Sequence, residues 1–218
     1  MELDFWHDRW KNNEIGFHQE TINPYLQRYW SRLDLKQGDR VFVPCCGKSK
    51  DLIWLLQQGL YVQGVEISAQ AVDAFFKENN LQPNIDEQGA FQTSSVEGLA
   101  LACGDFFQLT SADVDGVAAV YDRAAMIAMP AAMRRSYCQH LQAITNKQVP
   151  ILLVTLEYPE GEMQGPPFSV TEQEVHDMYA GDYAVLVLET EDILADNDFF
   201  RERGLTRLQE RVYLLTPR

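Results

Sequence analysis

"VFVPCCGKSKD", Val41–Asp51, leaves a β-branched apolar run and enters a helical pattern, so it reads as a strand, a tight turn and a helix start. Four chemistries compete for that turn. A phosphate-binding loop needs Gly-x-x-x-x-Gly-Lys-Ser. Gly47, Lys48 and Ser49 supply its end, but its first glycine would fall on Phe42, inside the strand. A metal site wants spaced Cys and His ligands. Cys45 and Cys46 are adjacent, and His7, His18, His140 and His176 are scattered singly, so no metal is expected. A dinucleotide turn needs Gly-x-Gly-x-x-Gly, and only Gly47 is present. The plain reading makes both cysteines small apolar filler at a strand end.

The next strand narrows the choice. "VQGVEIS" ends near Glu66, about twenty residues beyond Gly47, where a carboxylate can accept hydrogen bonds from both ribose hydroxyls of an adenosine. One glycine turn and one carboxylate suit an adenosine-containing cofactor without a pyrophosphate, which favours S-adenosylmethionine over NAD. The competing reading leaves Glu66 as a solvated strand end. "LACGDFFQL" places Gly104 and Asp105 at the end of a third strand, where an adenine ring would lie and an acidic group could accept from its exocyclic amine. "VYDRAAM" places Asp122 and Arg123 at the end of a fourth, at the mouth of the site. That pair equally fits a surface ion pair with no function.

Working outward, strands alternate with helices. "RVFVP", "YVQGVEI", "LALACGDF", "GVAAVYD", "VPILLVTLEY", "YAVLVLETED" and "ERVYLLTP" read as strands. "NPYLQRYWSRL" reads as a helix capped by Asn23, "SAQAVDAFFKENN" as one capped by Ser68, and "TEQEVHDMYA" as one opened by a Thr171/Glu174 capping box. "KDLIWLLQQG" and "AMRRSYCQHLQAIT" complete the helices. The alternation predicts an α/β fold: a doubly wound, mostly parallel sheet of about seven strands in a single domain, residues 1–218. The last two strands are expected to pair antiparallel at the sheet edge. Residues 1–36 form an aromatic, helical segment expected to lie over the site as a lid.

Composition removes several function classes. The 218 residues are 46% hydrophobic and 23% charged, ordinary for a globular domain. A net charge of -14 and a pI of about 4.6 repel phosphate backbones, so no nucleic-acid partner is expected. "MELDFWHDRW" has neither a basic start nor an unbroken apolar run, and no stretch reaches the ~20 apolar residues of a membrane helix. The four cysteines form no C-x-x-C pair and read as reduced thiols of a cytoplasmic protein.

Together, "WHDRWKNNEIGFHQ", "FVPCCGKSKDLIWL", "GVEIS", "YDRAAMIAM", "GPPFSV" and "ERVYLLT" resemble the thiopurine S-methyltransferases in their bacterial form, over nearly the whole chain. The resemblance implies a seven-stranded methyltransferase fold, S-adenosylmethionine as methyl donor, and a small aromatic or heterocyclic thiol as acceptor. It also implies links to selenium and tellurium methylation, hence tellurite resistance, and a monomer. Carried over by position, cofactor contacts fall on Trp10, Phe17, Cys45, Glu66 and Arg123, with Trp6 in the same segment. Arg123 is also expected to stabilise the anionic acceptor as the catalytic residue. Cys45 stands where the family commonly has leucine, and Phe199 where some relatives have a second acceptor-site arginine, with Arg201 and Arg203 as substitutes. Two rivals stand beside this reading: an NAD-dependent oxidoreductase, opposed by the missing glycines, and a non-catalytic S-adenosylmethionine-binding protein.

Overall fold

The computed structural model describes residues 3–12, 14–16 and 18–218. The chain divides between Tyr121 and Asp122 into two compact units.

The first unit opens with α1 (Leu3–Lys11) and α2 (Pro24–Tyr29), the latter continued by a 3-10 turn over Trp30–Leu33. Asn23 caps α2 as expected: its side-chain oxygen accepts from the amides of Tyr25 and Leu26 at 3.0 and 3.2 Å. Then follow β1 (Arg40–Val43), α3 (Asp51–Gln57), β2 (Tyr61–Glu66) and α4 (Ala69–Glu78). Ser68 caps α4 through the Ala71 amide. This helix buries Ala71, Val72, Phe75 and Phe76, the stripe its periodicity requires. β3 (Asn84–Gln88), β4 (Phe91–Val96), β5 (Leu99–Cys103) and β6 (Val117–Arg123) complete the unit's strands, in the order β3-β4-β5-β2-β1-β6. β6 runs two residues past the unit boundary. β5, β2, β1 and β6 are mutually parallel, so their carboxyl ends open on one edge.

Asp51 fastens this unit from below the turn. Its carboxylate accepts from the Asn23 amide at 2.8 Å and from the Tyr121 hydroxyl at 3.0 Å. The Lys50 ammonium also donates to the Glu20 carbonyl at 2.7 Å. The N-terminal segment is therefore tied to the start of α3.

The second unit contains α5 (Ala131–Ile144), β7 (Ile151–Glu157), α6 (Glu172–Tyr179), β8 (Tyr183–Asp192), α7 (Asp198–Glu202) and β9 (Gln209–Pro217). β7 is buried at every position. β9 lies between β7 and β8 and pairs antiparallel with both, so the closing strands are antiparallel as expected. The Thr171 side chain accepts from the Glu174 amide, half of the expected box. The Glu174 carboxylate is used otherwise, in an ion pair with the buried Arg134.

The α/β class is borne out, with two corrections. Among the described residues there are nine strands, not seven, and the sheet is mixed. The additional pair is the hairpin β3–β4, turned at Gly89 with φ +61°. Its strands, "NIDEQ" at the sheet edge and "FQTSSV" next to it, are rich in polar residues, so they carry no alternating apolar signal.

Candidate active site

The turn after β1 is built from unusual backbone. Cys45 sits at φ +47° and Gly47 at φ +53°, both left-handed. Glycine adopts this freely; for a cysteine it costs roughly 1–2 kcal/mol. The turn persists because its amides are spoken for. Cys46 N–H donates to the Val65 carbonyl at 3.0 Å, and Ser49 N–H to the Cys46 carbonyl at 3.2 Å. Gly47 N–H donates to Glu66 Oε2 at 2.8 Å.

Glu66 is 5% exposed, not a solvated strand end. Its Oε1 accepts from Ser68 N–H at 2.9 Å. Burial raises its pKa, and hydrogen bonds from the Ser68, Gly47 and Ile67 amides draw it back down. Its carbonyl accepts from Gly104 N–H at 2.9 Å, which joins the ends of β2 and β5. Gly47, Glu66 and Gly104 thus converge at the carboxyl edge of the parallel strands, where ligands bind in such sheets.

Aromatic rings bracket these glycines. A Cβ at Gly47 would stand 3.3 Å from Trp10 Cζ2, so the Trp10 indole, 5% exposed, lies on the turn. A Cβ at Gly104 would stand 2.5 Å from the Phe91 ring. Phe91 had no sequence signal, because it belongs to the unread hairpin. Asp105 spends Oδ1 on the Phe107 amide at 2.9 Å, and Oδ2 has no partner among the described residues. Trp6 stands on α1 with its ring edge-on to Phe5. Phe17 lies outside the described residues.

The cysteines supply shape. A Cβ at Gly64 would come within 2.7 Å of Cys46 Sγ, so the thiol fills the space of the missing side chain. Burial pushes the Cys46 thiol well up and the Cys103 thiol up, which favours the protonated form of both.

In the second unit, Asp122 and Arg123 do not form a surface pair. Asp122 is 0% exposed. Its Oδ2 accepts from the Tyr137 hydroxyl at 2.7 Å and its Oδ1 from Met126 N–H at 3.2 Å. Arg123, partly buried, ends β6, and no hydrogen bond or ion pair holds its guanidinium among the described residues. Ala124 follows at φ +69°. Further along, Arg201 is engaged by Asp198 and the Ala195 carbonyl, while the Arg203 guanidinium lies 3.5 Å over the half-exposed Phe199 ring. A groove of about 370 Å³ among Arg40, Tyr61, Gln63, Leu99 and Asp113 contains none of the candidate residues. It lies at the amino ends of β1, β2 and β5, opposite the ligand edge.

The sequence pattern of the thiopurine S-methyltransferases matches residues 1–218.

The chain belongs to the thiopurine S-methyltransferase family.

The thiopurine S-methyltransferase of Pseudomonas paraeruginosa is 52% identical over 215 residues, covering 99% of each chain. That of Azotobacter vinelandii is 50% identical over 218 residues, covering 100% of each. Among solved structures, a SAM-dependent methyltransferase from Anabaena variabilis superposes with a TM-score of 0.66 at 15% identity, covering 99% of this chain and 95% of that one. This likeness speaks for the fold. As a family member the protein is a methyltransferase that uses S-adenosylmethionine as donor, which displaces the oxidoreductase and non-catalytic readings.

Proposed function

We propose that this thiopurine S-methyltransferase family member methylates the sulfur of an aromatic or heterocyclic thiol, with thiopurines as acceptors, and that selenium and tellurium species also serve. The observation that carries the acceptor reading is the Arg123 guanidinium, at a strand's carboxyl end and without a protein partner among the described residues. A positive group left unpaired at a strand's carboxyl end suits an anionic acceptor.

The donor-binding residues are Trp10, Cys45, Gly47, Glu66, Gly104 and Asp105, with Phe17 by family position and Arg123 contributing charge. The fit is supported by lone pairs. The Glu66 carboxylate has about four acceptor sites and spends them only partly on amides, so each oxygen keeps capacity for a ribose hydroxyl. Asp105 keeps Oδ2 for an amine. The positive φ at Gly47 and the Trp10 ring against it disfavour a side chain there. When bound, S-adenosylmethionine supplies a methyl group on a sulfonium, already activated for displacement. Aromatic thiols are acidic, so the protein needs no strong base. Arg123 favours the thiolate and holds it, and Trp10 presents a ring face suited to a cation. Residues 1–36 exclude water as a lid. We read the protein as a cytoplasmic monomer, as the family resemblance implies, with the acidic composition in keeping with a solvated surface.

Methyl transfer to 6-mercaptopurine, thiophenol and selenite, followed by S-adenosylhomocysteine release, tests this. Turnover on the two thiols is expected. None on either thiol would remove the acceptor class.

A further inference from the structure

We infer that Asp122 is a positioning residue for methyl transfer: it locks the turn after β6 so that the Arg123 guanidinium is presented to the acceptor. The inference rests on the reading of Arg123 given above.

Successive strand residues face opposite sides, so Asp122 turns inward while Arg123 turns away from it. The inward carboxylate is fully used. Oδ1 receives Met126 N–H at 3.2 Å and Oδ2 the Tyr137 hydroxyl at 2.7 Å. The first bond closes over Arg123, Ala124 and Ala125, and the second anchors the strand end to α5. Between these two fastenings lies Ala124 at φ +69°, a conformation an L-residue keeps only where its surroundings over-determine it. Arg123 is thus the one long side chain of a tethered, strained loop. The fixed backbone sets the point and direction from which the Arg123 side chain leaves the strand.

Stability alone does not account for a carboxylate here. No arginine or lysine pairs with Asp122 among the described residues. Burial pushes its pKa up to about 6, with the Tyr137 and Met126 donors opposing the rise. The nearby Cys138 thiol and Tyr179 hydroxyl offer no positive charge. A neutral asparagine would satisfy the Met126 amide at less cost. What the ionised form adds is a pair of stronger hydrogen bonds holding the turn.

The deciding set is wild type, Asp122→Asn, Arg123→Ala and the double variant, at pH 8. Readouts are 6-mercaptopurine turnover, calorimetric affinity for S-adenosylhomocysteine, affinity of the S-adenosylhomocysteine-loaded protein for 6-mercaptopurine, and the unfolding midpoint. Asp122→Asn is expected to lower kcat/KM and acceptor affinity about tenfold and to leave S-adenosylhomocysteine affinity within about twofold. Its midpoint should be no lower than wild type. In the Arg123→Ala background the same change should add less than about twofold, since the two act as one unit. A full tenfold on top of Arg123→Ala overturns the role of Asp122 and leaves that of Arg123 intact. Wild-type turnover in Arg123→Ala overturns the reading of Arg123 itself. A lowered midpoint with unchanged acceptor affinity makes Asp122 purely structural and also overturns the inference. Tyr137→Phe, which keeps the carboxyl but removes its tie to α5, is the second variant, and unchanged acceptor affinity there counts equally against it.

Discussion

Gly47 N–H donates to Glu66 Oε2 across 2.8 Å, and Ser68 N–H donates to Oε1 across 2.9 Å. One carboxylate therefore fastens the turn after β1 to the end of β2 while offering its remaining lone pairs to the ligand edge. Glutamine has a single acceptor oxygen, so Glu66→Gln sets an NH2 group against one of these amides. The expected loss is about 1–3 kcal/mol in stability and on the order of tenfold or more in S-adenosylhomocysteine affinity. Thermal unfolding and calorimetry check it. Wild-type affinity in this variant removes Glu66 from the donor site.

Gly47→Ala adds a methyl group where φ is +53° and where Trp10 Cζ2 is 3.3 Å away. The left-handed backbone costs roughly 1–2 kcal/mol for alanine, and the indole must shift. A lower unfolding midpoint together with weaker S-adenosylhomocysteine binding is expected. A variant with both unchanged shows that the turn relaxes and that Trp10 does not depend on it.

Arg123→Ala removes a guanidinium that no hydrogen bond or ion pair holds among the described residues. Folding should be nearly unaffected. Loss of a charged hydrogen bond to the acceptor should lower kcat/KM about 10- to 100-fold. Steady-state kinetics beside a thermal melt separate the two effects, and retained turnover is the outcome that discards the assignment.

Asp122 makes a pH prediction with a definite sign. Its carboxyl titrates at about 6 when folded against an ordinary 3.8. The folded protein therefore holds this proton more tightly than the unfolded chain, and its stability falls as pH rises through that window. The loss amounts to as much as about 3 kcal/mol by neutral pH. Burial pushes Cys138 up to about 12 and Tyr179 well up, so neither neighbour titrates alongside it. Asp122→Asn lacks the titration. Denaturant unfolding of both proteins from pH 4 to 8 should show the difference moving in favour of asparagine. A difference that stays flat means the carboxyl titrates as in solution.

Much of this site can be read from residue order. Gly47 and Glu66 announce themselves because a glycine turn and a following carboxylate have a fixed spacing along a strand–helix–strand unit. Asn23, Ser68 and Thr171 announce helix starts because their side chains replace missing backbone acceptors. Three features have no such local signature. β3 at the sheet edge and β4 beside it are held by backbone pairing, which asks nothing of side-chain polarity, so their sequence looks like a polar loop. Phe91 reaches Gly104 only through that hairpin's register, with Gln92 opposite Cys103. The burial of Asp122 depends on Tyr137, fifteen positions further on, and an acidic residue beside an arginine otherwise looks like a surface pair.

The contact between Trp10 and Gly47 has an optical consequence. An indole sheltered from water and resting on the turn after β1 emits according to what surrounds it, so events at that turn should register in the protein's own fluorescence. Trp6 on the same helix, and Trp30 and Trp54, edge to face with one another, supply a background that the Trp10→Phe variant measures. The enzyme thus contains its own dye, and a titration with S-adenosylhomocysteine can be followed without a label.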